Sequence, residues 1–591
     1  MADGDEATGE MSDGLQVELF HPDSDREPGD TNIQKFGFDI HPVVFPIALA
    51  IIAVFVASTI LFQDAASELY GQAFSFVNGT FGWFYILAVN IFILTVLYFA
   101  FSKFGNIKIG GVEAEKEFSD FSWMAMLFSA GMGIGLMFFS VTEPMGYLSS
   151  PPALFGAEAG TGAAASAALA QTFFHWGFSP WAVYGLVGLG LAFFSFNRGL
   201  PLTFRSIFWP LLGERIYGWP GHVIDLVTVF ATLFGLCTSL GLGVAQVNTG
   251  MWYVGGEVLG LGAIPTGTIP QIALIAAITG IATLSVAAGL DGGVKRLSTL
   301  NLYLMLALLG FLLVVGPTLF IFGAWLEGIG AYLQNFLTLT FFTGTTGAGT
   351  STAVGSGTVA TTVFYWGWWI AWSPFVGMFI ARISKGRTVR EFVLGVLFLP
   401  ALFSFLWLST FGGSAISLEL AASGQGPVAT AMAGANGGTI AMFAMLNQFP
   451  LGAITGILAT LLVVTFFVTS SDSGSLVIDH LTSGGKHDVP KTQRIFWATT
   501  EGVVAAMLLL GGGLGALRAA AITTGLPFAA ILVLMCYTVY QGLKNEYEIL
   551  ESEEFAETIE ELTDEEEVDV VTTGDEMVTD VSEGDETPSG D

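Results

Sequence analysis

Cysteine and basic charge are both scarce in this chain, and each shortage excludes a class of protein. Only two cysteines, Cys237 and Cys536, occur in 591 residues, and both fall in apolar runs. That excludes a disulfide framework and a cysteine metal centre. Lys and Arg number 19 against 50 Asp and Glu, for a net charge of −31. So acidic a chain has no basic surface for nucleic acid. No nucleophile–base pair and no metal-ligand cluster stands out, so an enzyme is not expected. Residues 1–39 are polar and acidic, and no signal peptide is visible.

What remains is apolar. Hydrophobic residues make up 53% of the chain and charged ones 12%, with a mean hydropathy of +0.67. These values place the chain among polytopic membrane proteins. Runs able to cross a bilayer core of ~30 Å occur near 43–62, 80–101, 121–141, 168–196, 221–250 and 270–289. Six more follow near 300–324, 358–383, 391–411, 453–478, 494–511 and 519–541. Twelve spans are expected. All but one of the nineteen Lys and Arg then fall on one side, Arg518 being the exception. By the positive-inside rule, both termini are cytoplasmic.

The acids concentrate at the ends. Ten precede residue 31, and twenty follow from Lys544 onward with no further Lys or Arg. Such polyanions cannot bury enough apolar surface to fold alone. The reading is therefore a disordered N-terminal tail (1–40), a twelve-span domain (41–543) and a disordered C-terminal tail (544–591). Of two long outer connections, residues 325–339 read as an amphipathic helix on the outer face. The other, 412–451, reads as a loop with a short helix.

Three stretches carry chemistry. In the third span, Gly131, Gly133 and Gly135 stand within five residues. Each glycine costs roughly 0.8–1 kcal/mol against alanine in a helix interior, so a broken helix is expected. In membranes such breaks line cavities and place backbone dipoles near ligands, although small residues also serve close helix packing. Aromatic clusters occupy the middle of two spans: Trp176, Trp181 and Tyr184, which at 100° per residue share one helical face, and Trp368, Trp369 and Trp372. Their places are poor for an interfacial belt. A cage of such rings suits a cation that donates no hydrogen bonds, above all a quaternary ammonium, at ~0.5–2 kcal/mol per contact; aromatic packing is the alternative. In the tenth span, Thr469 and Ser470, with the carbonyl of Phe466, offer oxygens to a small hard cation. Ser129 and Met132 could add two carbonyls. Otherwise these hydroxyls bond back to their own helix. Glu143, His175, Asp225 and Asp472 are the main ionisable groups in or near spans, functional candidates by default. Glu143, before Pro144 at a span end, reads equally as a cap.

Together these stretches resemble the betaine/carnitine/choline transporter family. The motifs are GMGIGLMFFSVTEP at 131–144, FHWGFSPWAVY at 174–184, FATLFGLCTSLGLG at 230–243, FYWGWWIAWSPFVGMFIARISKGRTVREF at 364–392 and FFVTSSDSGS at 466–475. The resemblance implies an all-α fold with two inverted five-helix repeats, spans 3–7 and 8–12, behind a two-helix prefix. It also implies a homotrimer in the plasma membrane, alternating access, and sodium as coupling ion, with no other cofactor. By the same resemblance Trp176, Trp181, Tyr184 and Trp369 form the aromatic box, and Trp368 and Trp372 line the central site. Ser129, Met132, Phe466, Thr469 and Ser470 form a sodium site, and Thr232 and Phe375 belong to a second. Leu236 stands where sodium-coupled relatives carry a second threonine, which counts against that second site.

The expected function is sodium-coupled import of glycine betaine or a similar trimethylammonium osmolyte. Its ammonium sits in the cage and its carboxylate points to amides of the glycine break, without a buried counter-charge. A choline or carnitine carrier, a sodium-independent exchanger and a ligand-binding osmosensor are the alternatives.

Overall fold

The computed structural model describes residues 28–130, 133–288, 295–345, 357–486, 488–563, 569–573 and 576–580. It is almost wholly helical. The sequence has little else to form, since its long apolar runs must satisfy every backbone group internally once out of water. Among the described residues, nine helical segments are long and apolar enough to cross a membrane.

The first helices are α1 (Val44–Leu61) and α2 (Gln63–Phe101). The third apolar run is divided into α3 (Asp120–Ala130) and α4 (Ile134–Ser149). Gly133 between them is extended, with φ −173° and ψ −170°. The expected break is there, while Gly131 and Met132 lie outside the described residues.

The fourth run is broken too, which the sequence reading does not anticipate. It forms α5 (Gly162–Trp176) and α6 (Phe178–Phe196), separated by Gly177 at φ −97° and ψ −136°. A Cβ at 177 would lie 2.5 Å from the carbonyl oxygen of Phe173 and 2.8 Å from the Phe405 ring. The amide of Phe178, freed by the break, donates to the Tyr332 hydroxyl over 3.2 Å.

Next come α7 (Trp219–Gly250), continued as a wider π-helical stretch to Val258, then α8 (Thr268–Ala288) and α9 (Lys295–Val315). The expected seventh span at 300–324 crosses a real boundary. Gly316 and Pro317 end α9, because proline has no amide to continue the ladder, and α10 (Thr318–Thr340) begins a separate helix. That helix is longer than the amphipathic 325–339 expected. It buries Ile321, Gly328 and Tyr332 and exposes Leu319, Leu326 and Leu337.

The second half contains α11 (Gly357–Arg382), α12 (Val389–Ala421), α13 (Gly452–Thr482) and α14 (Lys491–Thr563). The last bends at Gly512 and Gly513; Gly513 has φ +59° and ψ −143°, a conformation that suits glycine. Past α12 the next connection holds two short helices, Pro427–Met432 and Ala441–Leu446. Buried Glu419 caps the first, accepting from the amides of Val428 (2.9 Å) and Ala429 (3.1 Å).

Most of the basic loops meet at one end of the molecule. Lys108 bridges Thr388, and Asn197 donates to the carbonyl of Lys108 at 3.0 Å. Arg198 pairs with Glu546 at 2.6 Å, and His480 bonds the carbonyl of Leu202 at 2.9 Å. A small hairpin, β1 (Ile33–Lys35) and β2 (Phe38–Ile40), joins this end, pairing Gln34 with Asp39. It lies in the stretch assigned above to the N-terminal tail. Its docking is specific: Asp39 meets Lys486 at 2.6 Å, and Asn32 donates to the carbonyl of Ser483 at 2.9 Å.

Candidate functional site

Two cavities meet in the middle of the bundle. The first is lined by Gly133, Gly135, Trp176, Trp181, Tyr184, Trp368, Trp369 and Trp372, with Ser239 and Ser404. Every aromatic residue proposed from the sequence is there. The rings of Trp368 and Trp369 stack at 4.8 Å and 14°. Trp176 stands edge-on to Trp369 at 4.8 Å and 76°. Tyr184 lies 5.3 Å from Trp181 and 6.2 Å from Trp369.

The reason they converge differs from the one expected. Trp176 and Tyr184 do not share the face of one helix, because the break at Gly177 separates α5 from α6. The cage is assembled across that break and against α11. Gly135 is required by close approach: a Cβ there would lie 2.7 Å from one edge of Trp368 and 3.0 Å from Trp176.

Hydrogen bonds hold the rings. Trp368 Nε1 donates to Ser239 Oγ at 3.2 Å, and Trp369 Nε1 to the carbonyl of His175 at 3.0 Å. Trp176 Nε1 donates to Glu143 Oε2 at 2.8 Å. The Trp372 Nε1 and the Tyr184 hydroxyl are buried without a protein partner, so both are donors free for a ligand.

Glu143 is therefore not a cap at a span end. It lies in the body of α4, buried at 6% exposure, with its side chain against α5 and α11. The expectation of a cage without a buried counter-charge fails for the same reason: a carboxylate stands directly behind it. Sequence reasoning missed the link because Glu143 and His175 are 32 residues apart.

The second cavity is larger and shares Ala130 and Trp372 with the first. Ser129, Phe466, Thr469, Ser470 and Phe375 line it, together with Asn301 and Arg382. Four of the five residues of the first ion-site expectation thus share one wall; Met132 lies outside the described residues. The Thr469 hydroxyl bonds back to the carbonyls of Thr465 (3.1 Å) and Phe466 (3.2 Å). Asn301 was not foreseen. Its Nδ2 donates to Thr469 Oγ1 at 3.2 Å, while its Oδ1 is buried without a partner. A lone amide within an apolar span was the available signal.

The second ion-site pair is not brought to one wall. Phe375 lines the larger cavity, but Thr232 is fully buried and donates to the carbonyl of Thr228 at 2.7 Å. Of the other ionisable candidates, Asp225 pairs with Arg205 at 2.9 Å and Asp472 with Arg494 at 3.2 Å. Glu501, also missed, is fully buried and accepts from Ser471 Oγ at 2.9 Å.

Broken helices around a buried aromatic cage, within a bundle of membrane-length helices, define an integral membrane transporter. Comparison with known proteins narrows the class. Residues 43–548 match the pattern of the BCCT, betaine/carnitine/choline family transporter. A glycine betaine/proline/choline transporter of Vibrio parahaemolyticus is 43% identical over 542 residues, covering 89% of this chain and 94% of that protein. Glycine betaine transporter 1 of the same organism is 45% identical over 539 residues, covering 88% and 97%. A probable glycine betaine transporter of Desulfitobacterium hafniense is 42% identical over 509 residues, covering 85% and 98%. The chain belongs to the betaine/carnitine/choline transporter family, whose members are transporters and not enzymes.

Proposed function

We propose that this protein imports glycine betaine, or a closely similar trimethylammonium osmolyte, by sodium symport with alternating access. The observation that carries the reading is the cage of Trp176, Trp181, Tyr184, Trp368 and Trp369 around one cavity. A trimethylammonium group has no N–H to give and little for a hydroxyl or carbonyl to hold. Ring faces suit it through their quadrupoles. Trp372 Nε1 and the start of α4 at Ile134 offer donors to a carboxylate, and half-helix N-termini favour such anions.

Sodium coupling rests on oxygens. Ser129, Phe466, Thr469 and Ser470 line the adjoining cavity, and a small hard cation takes hydroxyl and carbonyl oxygen. A single ion site is the economical reading, since Leu236 is fully buried where a second hydroxyl would be needed.

The twelve-span reading fits the elements described. The bend at Gly512–Gly513 divides α14 into two crossings, and α3–α4 and α11 each supply one more. The end at which the basic loops gather is then the cytoplasmic end. On this reading the cell membrane is the location, both termini are cytoplasmic, the acidic tails flank a domain of residues 41–543, and the assembly is a homotrimer.

Uptake of labelled glycine betaine into proteoliposomes, with and without an inward sodium gradient, tests the reading. Sodium-dependent uptake is expected. Uptake indifferent to sodium yet accelerated by substrate on the far side would make the protein an exchanger. The Vibrio parahaemolyticus relative, a glycine betaine/proline/choline transporter, favours including proline and choline as competitors.

A further inference from the structure

Behind the cage lies a network that the transport reading does not use. Glu143 Oε2 accepts from Trp176 Nε1 at 2.8 Å and from the Tyr365 hydroxyl at 2.5 Å. Its Oε1 meets His175 Nδ1 at 2.5 Å. Three donors from α5 and α11 thus converge on one carboxylate of α4. Tyr365 stacks on the His175 ring at 4.4 Å and 24°, and on Trp369 at 5.9 Å and 28°.

The hydrogen bonds set the roles within this network. A carboxylate only accepts, so His175 Nδ1 must carry its proton toward Glu143. On the opposite side of the ring, the Gln171 amide nitrogen approaches His175 Nε2 at 3.1 Å. An amide nitrogen only donates, so this contact is met when Nε2 accepts. The Thr362 hydroxyl, which donates to the carbonyl of Thr358 at 3.0 Å, lies 2.9 Å from the same nitrogen. Among the described residues, no Lys or Arg pairs with Glu143. Arg518 has its guanidinium carbon 5.3 Å from the centroid of Phe364.

A buried carboxylate is tolerated where its oxygens are hydrogen-bonded, as these are. Its place gives it a use, because Trp176 both receives the charge at its N–H and lines the substrate cavity. An anion hydrogen-bonded at the edge of an indole polarises the ring and makes its face more negative, which strengthens attraction for a cation. The same bonds fix the orientation of Trp176, and the His175 backbone carbonyl fixes Trp369.

We infer that Glu143 is the specificity-determining counter-charge of the cage: through Trp176 it makes the cavity select a positively charged head group over an uncharged one of the same shape. The inference rests on the betaine reading above and adds the residue that sets charge selection.

The test compares two ligands that differ in one atom. Glycine betaine and 3,3-dimethylbutanoate share a carboxylate and a three-methyl head, but carbon replaces the nitrogen in the second and the positive charge is gone. Binding of each to the full-length protein in detergent is followed by tryptophan fluorescence. Glu143→Gln, close to an isostere, should weaken betaine about tenfold or more, while the carbon analogue changes much less. Equal loss for both ligands, or no loss for either, overturns the inference. Glu143→Asp keeps the charge and shortens the reach. It should retain the preference for betaine even where affinity for both ligands drops, and a preference that collapses in this variant also overturns the inference. If the parent protein binds no betaine, the betaine reading falls and this inference with it. If the parent binds betaine and the preference survives Glu143→Gln, only the inference falls.

Discussion

Leu236 of α7 packs its isobutyl group directly onto Gly474 of α13, where a Cβ would collide with its methyls. Leu236 is fully buried. One residue thus fixes how closely the two helices approach. Gly474→Ala should overpack this contact and lower thermal stability by about 1–3 kcal/mol. Adding Leu236→Ala should recover most of the loss. Thermal unfolding of the parent, both single variants and the double variant in detergent measures the coupling; strictly additive effects would contradict the contact.

Trp369 and Trp372 take different parts in the site, so their truncation should read differently. Trp369 is held by the His175 carbonyl and walls the cage against Trp176. Trp372 divides the two cavities and keeps its N–H unpartnered. Trp369→Ala should raise the betaine concentration for half-maximal uptake by an order of magnitude or so, each ring contact being worth ~0.5–2 kcal/mol. Trp372→Phe removes the donor and keeps one aromatic ring, and should weaken carboxylated substrates more than choline. Competition assays in proteoliposomes check both, and normal uptake by both variants would dismiss the cage.

How far these features were legible in the sequence differs by element. Long apolar runs and mid-span tryptophans are local signals, and the aromatic residues taken from them do share one cavity. The break after Trp176 was hidden, because one glycine among aromatics carries little information until Phe405 and Tyr332 are known to crowd it. The boundary at Gly316–Pro317 was visible in residue type but masked by apolar sequence on both sides. Glu143, Asn301 and Glu501 acquire meaning only through partners on distant helices: His175, Thr469 and Ser471. Periodicity carries no record of such pairs.

Thr469 and Ser470 face the larger cavity with Ser129, and the Thr469 hydroxyl is tied to Asn301. Replacing both hydroxyl residues by alanine removes two of the oxygens assigned to sodium. The sodium concentration for half-maximal uptake should rise by about tenfold or more, since a hydrogen-bonded or coordinating oxygen to a charge is worth ~1.5–3 kcal/mol. Betaine affinity at saturating sodium should change far less. An unchanged sodium dependence would remove these residues from the ion site.

The N-terminal hairpin should undock as the solution is acidified, through two groups outside the spans. Burial pushes His41 down to about 3, with the nearby charge of Arg205 and then His222 adding to it. A histidine lowered in the folded state contributes stability that is complete above its ordinary value of 6.5 and is lost as pH falls toward 3. Asp39 acts in the same direction. Burial raises it, but hydrogen bonds from Lys486, Asn32 and Gln34 and the Lys486 charge outweigh this and leave it lowered from 3.8. Its contribution persists until the most acid part of the range. A fluorophore on Ile33→Cys, an exposed site in a chain whose two native cysteines are buried, would report docking by anisotropy. Anisotropy should fall between pH 6.5 and 4 as His41 becomes protonated. Lys486→Gln should undock the hairpin already at neutral pH, and His41→Gln should flatten the upper part of the profile. A hairpin that stays docked down to pH 4 in the parent would show that these two side chains do not control it.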